Sequence, residues 1–136
     1  MKIRFTSIQD HKIKNQEPKI VSFEADAEYD LFLDDEDPKQ LQYHTYHFKE
    51  PSIGESNRIE INSERVNIFT GMSTLTMLKG QKAPNSFVKV DGTQFFLKPF
   101  LHEVVIEGNI KKFKYELFGP KDDLIGEFNV SIEELE

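Results

Sequence analysis

The sequence predicts an all-β protein: an antiparallel meander closed, or nearly closed, into a barrel of about nine or ten strands. Three observations carry this. Ile, Val and Phe total 31 of the 136 residues, whereas Ala, the best helix former, occurs three times. From Val21 to Leu33 the odd positions read Val, Phe, Ala, Ala, Tyr, Leu, Leu, and the even positions between them include Ser22, Glu24, Asp26, Glu28 and Asp30. Only a strand with one apolar face produces that alternation. Turn signals then recur roughly every eight to twelve residues, hairpin after hairpin, with no long crossover.

The elements follow in order. Ile3 and Phe5 open a first strand predicted to run on toward Ile13. The segment from Val21 to Leu33 is the second; at ~3.3 Å per residue it spans roughly 43 Å, a length that suits a strand bent around a curved sheet. Asp34-Asp35-Glu36-Asp37-Pro38 reads as a solvated hairpin tip, because it lacks the alternating ligands and central Gly of a calcium loop. Leu41, Tyr43, Tyr46 and Phe48 form a third strand whose parity flips after Tyr43, predicting a bulge near Thr45. Pro51 to Gly54 breaks the chain. Ile59 and Ile61, then Val66 and Ile68, make a hairpin around Asn62-Ser63-Glu64. Strands follow at Ser73 to Leu78, Ser86 to Val90, Thr93 to Leu101, Val104 to Ile106, Ile110 to Phe118 and Ile125 to Ile132. Asp91-Gly92 is a strong two-residue hairpin signal. Lys79 to Lys82 and the tail are the two places for a short helical turn, and the acidic tail Glu133 to Glu136 is expected to fray.

Composition removes several function classes. The chain has no Cys, which excludes disulfides, thiolate metal sites and cysteine nucleophiles. A net charge of −7 argues against general nucleic-acid binding. The basic cluster Lys111, Lys112 and Lys114 surrounds Phe113 and Tyr115, but Lys112, Lys114 and Glu116 share one parity and the apolar residues the other, as in an ordinary half-buried strand. No apolar run reaches the ~20 residues of a membrane span, and Met1 to Phe5 is already strand-like. A soluble cytoplasmic protein with no membrane partner is expected. No nucleophile elbow, zinc-protease motif or phosphate loop is present, so no catalytic residue, metal ligand or cofactor is assigned.

The stretch Leu41-Gln42-Tyr43-His44-Thr45-Tyr46, the strand Arg65-Val66-Asn67-Ile68-Phe69-Thr70-Gly71, the piece Phe96-Leu97-Lys98 and the closing Leu124-Ile125-Gly126-Glu127-Phe128-Asn129-Val130 together resemble the YwiB-like family of small bacterial proteins. The resemblance implies a calycin-like, lipocalin-type barrel over nearly the whole chain. It implies no activity. The chain departs from the family pattern at Val88, Asp91-Gly92 and Lys98-Pro99.

A barrel of this kind predicts two uses. One is binding of a small, mostly apolar ligand, with Tyr43, His44, Tyr46 and His47 as polar handles and Met72 and Met77 as adaptable lining. The other is a protein-interaction module, a homodimer or adaptor, suggested by segments apolar on both faces such as Phe95-Phe96-Leu97. His44 and His47 approach each other only if the bulge at Thr45 is real, because residues three apart on a regular strand face opposite ways.

Overall fold

The computed structural model describes residues 1–33, 39 and 41–135. Ten strands make up the fold, with no helix among the described residues: β1 (Lys2–Asp10), β2 (Lys19–Leu33), β3 (Gln42–Lys49), β4 (Ser56–Ile61), β5 (Arg65–Thr70), β6 (Ser73–Leu78), β7 (Ser86–Val90), β8 (Thr93–Glu107), β9 (Ile110–Phe118) and β10 (Leu124–Leu135). Each strand pairs antiparallel with its neighbours in the chain, and β1 pairs with β10, so the meander closes into a barrel. Closure leaves no open sheet edge.

Two long strands make the corners. β2 pairs with β1 from Lys19 to Asp26 and with β3 from Ala27 to Leu33. β8 pairs with β7 through Thr93 to Leu97 and with β9 from Lys98 onward. The two segments read separately in the sequence, before and after His102, are therefore one strand, with a register shift between Leu101 and Glu103. Pro99 is tolerated in β8 because the last β7 pair is Ser86 with Leu97. Its missing N–H falls beyond that ladder. Its carbonyl accepts the Ala83 amide at 3.0 Å.

The alternation directs one residue in two to the lumen. Ile3, Tyr46, Ile59, Ile61, Val66, Met77, Leu101, Phe113 and Ile132 are almost fully buried there. Burial of each such side chain stabilises the fold by roughly 1.5–3 kcal/mol. The tight turns use the predicted chemistry. Asp91 and Gly92 both have positive φ, +50° and +79°, the two-residue turn whose twist matches its strands. The Asn62 side-chain oxygen accepts the amides of Glu64 (2.9 Å) and Arg65 (2.7 Å).

Four expectations are corrected. No bulge exists at Thr45: β3 pairs residue for residue with β2 and with β4. The apparent parity flip arises because Tyr43 is buried on the outer face, against Phe32. β1 ends at Asp10, before Ile13. Lys79 to Lys82 is no helical turn but a segment docked on β8, with the Gly80 amide donating to the Leu101 carbonyl at 2.8 Å. The acidic tail is strand rather than frayed as far as Leu135, where β10 ends, and Glu133 faces Arg4 while Glu134 turns inward; Glu136 lies outside the described residues. The expected tip Asp34 to Pro38 lies outside the described residues.

One junction of the wall is thin. β6 and β7 share only the pairs Ser73 with Val88 and Thr74 with Phe87. Beyond them the fully buried Ser86 hydroxyl substitutes for a backbone rung, accepting from the Thr76 amide at 2.9 Å and donating to its carbonyl at 3.4 Å.

Candidate functional site in the barrel lumen

The lumen has two differently furnished ends. At the end where β10 finishes, inward positions carry Tyr29 on β2, His44 and Tyr46 on β3, Lys111 on β9 and Glu134 on β10. The Tyr46 hydroxyl donates to Glu134 Oε1 at 2.6 Å, across the lumen. Lys111 Nζ lies 3.3 Å from the same carboxylate oxygen and donates to the Gly108 carbonyl at 2.9 Å. Its side chain is only 4% exposed, and Nζ sits 6.0 Å from the ring centroids of both Tyr29 and Tyr46. Tyr29 Oη and His44 Nδ1 are 2.7 Å apart. Burial and then the Glu134 bond raise the Tyr46 pKa well above its ordinary value. Burial, reinforced by Lys111, lowers that of His44. Every named charge or hydroxyl here has a partner, so the cluster is a polar plug that staples β3 to β10, and Lys111 and Tyr46 are held rather than poised for chemistry.

The opposite end is a cup of about 280 Å³. Its apolar lining comes from Phe5 and Phe23, stacked at 5.2 Å, with Val21, Ile59, Ile68 and Leu75. Tyr115 and Val130 also contribute. Ser7, Gln9, Asn57 and Ser73 add polar atoms, and Glu50 and Glu55 stand at the base of the loop between β3 and β4. The alternation explains their direction: Phe48 and Asn57 pair facing the lumen, Lys49 and Ser56 pair facing out, and the next pair, Glu50 with Glu55, faces in again. The Glu50 amide donates to the Glu55 carbonyl at 2.9 Å, holding the pair opposed. Bonds from the Ser52 hydroxyl and amide and from the Ile53 amide lower the Glu50 pKa. Larger depressions, of about 610 and 740 Å³, lie on the outside of the wall, by Arg65 and Leu78 and by Glu24 and His47.

The residues singled out in the sequence separate. His44 and Tyr46 belong to the plug. Met77 is a fully buried lumen residue, while Met72 is exposed at the turn between β5 and β6. Tyr43 and His47 take the outward parity of β3, so the two histidines face opposite ways. None of the six lines the cup. The residues that sequence reasoning passed over are Tyr29, Lys111, Glu134, Glu50 and Glu55. A signal for two of them existed: Lys111 shares the parity of Phe113 and Tyr115, and Glu134 that of Val130 and Ile132.

A closed ten-stranded antiparallel meander with a small luminal cup defines a barrel consistent with the calycin-like class. In fold, the chain is similar to the crystal structure of the ywiB protein from Bacillus subtilis, with a TM-score of 0.61 over 99% of this chain and 91% of that one. At 9% identity that likeness concerns the fold alone. No protein-family model and no curated protein matches the sequence. No helix among the described residues is long and apolar enough to cross a membrane.

Proposed function

We propose that the protein is a non-enzymatic, cytoplasmic barrel that binds a small, mostly apolar ligand in the cup. The observation that carries this reading is the cavity itself. It opens among inward-facing residues of β1, β2, β4, β5, β6, β9 and β10, so it interrupts a core that is filled elsewhere. Small-molecule sites are concave and largely apolar, with a few convergent polar groups. At about 280 Å³ the cup sits just below the usual range for drug-sized ligands, which sets the ligand's size class. Phe5, Phe23 and Ile68 remain partly exposed within it, apolar surface that a ligand would cover.

Native mass spectrometry before and after incubation with a cell extract tests the reading. A small-molecule adduct that disappears on denaturation, and that the cavity-filling variant Val21→Trp does not acquire, is expected. An apo mass throughout, with Val21→Trp more stable than the natural chain, identifies the cup as a packing defect.

A second reading rests on a different observation. Met72, Val90, Phe95 and Phe96 are exposed around the hairpin of β7 and β8, with Phe96 at 58%. A homodimer or adaptor contact would bury them. Sedimentation at rising protein concentration separates the two: a dimer appears with concentration and is lost in Phe96→Glu.

A further inference from the structure

The outer wall carries a basic depression that plays no part in the cup. It has a volume of about 610 Å³ beside the turn between β4 and β5, and Lys39, Arg65, Lys79 and Gln81 line it together with Glu64 and Leu78. The acid in this lining is already taken: Lys39 Nζ lies 2.5 Å from Glu64 Oε1. The two other cations have no such partner. Of the three arginines, Arg4 pairs with Glu24 and Glu133 and Arg58 with Glu60, whereas Arg65 has no ion pair among the described residues. Lys79 has none either. In a chain with 24 acidic and 17 basic side chains, two adjoining cations left without a carboxylate run against the composition.

The backbone holds both cations on this side of the wall. Arg65 opens β5 opposite Leu78, the last residue of β6. Both take the outward parity, because Val66 and Met77 beside them are buried in the lumen. The Lys79 amide donates to the Glu64 carbonyl at 2.9 Å, adding a rung beyond that pair. Gly80, at φ +80°, then turns the chain, and Gln81 returns against Leu78. Asn62 stands opposite Arg65 across the turn, its amide donating to the Arg65 carbonyl at 2.9 Å. The Asn62 residue is 2% exposed; its side-chain oxygen accepts the Glu64 and Arg65 amides, and its side-chain nitrogen has no acceptor. A buried donor without an acceptor, next to an arginine whose fork is unused, marks a place for an anion's oxygen atoms.

We propose that this depression binds a phosphate group carried on a small organic molecule. Arg65 grips two of the phosphate oxygens with its planar fork, Lys79 neutralises the remaining charge, and the organic body rests on Leu78. Two cations suit a phosphate monoester, with a charge of about −1.5 to −2 near neutral pH, better than they suit a carboxylate. The site is separate from the cup and does not depend on the ligand read there.

The test uses amide NMR and thermal melting of the full chain at fixed ionic strength with four probes: phenyl phosphate, inorganic phosphate, phenylacetate, and phosphatidylcholine vesicles containing phosphatidic acid. The expected result is saturable shifts at Arg65, Lys79 and Gln81 and a raised melting temperature with phenyl phosphate, and a weaker response of the same kind with inorganic phosphate. Arg65→Gln and Lys79→Gln each weaken the binding at least about fivefold. Lys112→Gln, which removes an exposed lysine elsewhere on the wall, leaves it unchanged. Phenylacetate binding as tightly as phenyl phosphate overturns the assignment to phosphate. An equal loss in Lys112→Gln, or the same shifts with chloride alone, reduces the effect to general charge screening and overturns the site. Vesicle binding without a response to either free phosphate overturns the small-molecule reading in favour of a lipid surface. No response to any probe overturns the proposal outright.

Discussion

At one end of the lumen, Tyr46, Lys111 and Glu134 bond across the barrel and fill it; at the other, Phe5 and Phe23, stacked on each other, border an open cup together with Ile68, with Glu50 and Glu55 at its rim. The same strand alternation builds both ends. What differs is how the inward polar groups are satisfied. In the plug, a buried ammonium, a carboxylate and a tyrosine hydroxyl complete each other, so the arrangement serves the fold. In the cup, Glu50 is bonded by its own loop and Ser7 by Gln9, and the volume beside them is open. Open volume lined by apolar side chains with a few polar groups is the physical mark that separates a candidate site from a polar core.

The largest expected effect tests the plug. Glu134→Ala leaves Lys111 buried without its carboxylate and is expected to destabilise the protein by about 3 kcal/mol in urea unfolding. The double variant Lys111→Met, Glu134→Leu recovers most of that loss, because it removes the stranded charge along with its partner. If both cost the same, the plug matters through its packing and not its charges. Next come matched truncations. Ile61→Ala, fully buried, is expected to cost about 3 kcal/mol, whereas Ile68→Ala at the cup costs about 1 kcal/mol because its side chain already borders open space. Equal losses would erase the distinction between a filled and a hollow end.

Ser86→Ala is expected to cost about 2 kcal/mol, since it strips both bonds from Thr76 at the thin junction of β6 and β7. Hydrogen exchange should show the Thr76 amide losing protection first. The smallest effect is pH-dependent. The folded pKa of His44 lies below the ordinary 6.5, so its contribution to stability is present above that value and is lost as pH falls through the folded pKa. His44→Gln flattens that part of the stability profile. A further loss begins below about pH 4.5, as Glu127, held at about 2 by Lys114 and Lys12, approaches protonation.

Much of the architecture was legible because alternation is local. The run from Val21 to Leu33 reveals both a strand and its inward face, and Asp91-Gly92 reveals its turn. Strand β3 shows where locality fails. Tyr43 is buried from outside and Tyr46 from inside, and burial without direction mimics a bulge. The candidate site was harder to see for a related reason. Glu50 and Glu55 sit in a stretch that reads as loop, and their convergence depends on the ladder of β3 and β4 continuing one pair beyond its last regular rung. Glu134 looked like a fraying acidic tail because its partners, Tyr46 and Lys111, lie 88 and 23 residues away.

The central claim, that the cup binds and the plug holds, is tested most directly by methyl and amide NMR shifts during titration with 2-phenylethanol, a small and mostly apolar probe. The account predicts changes concentrated at Ser7, Val21, Glu55, Ile68 and Leu75, with Tyr46, Lys111 and Glu134 unmoved. Changes centred on Tyr29, His44 and Tyr46, or none at any residue up to saturating probe, would contradict it.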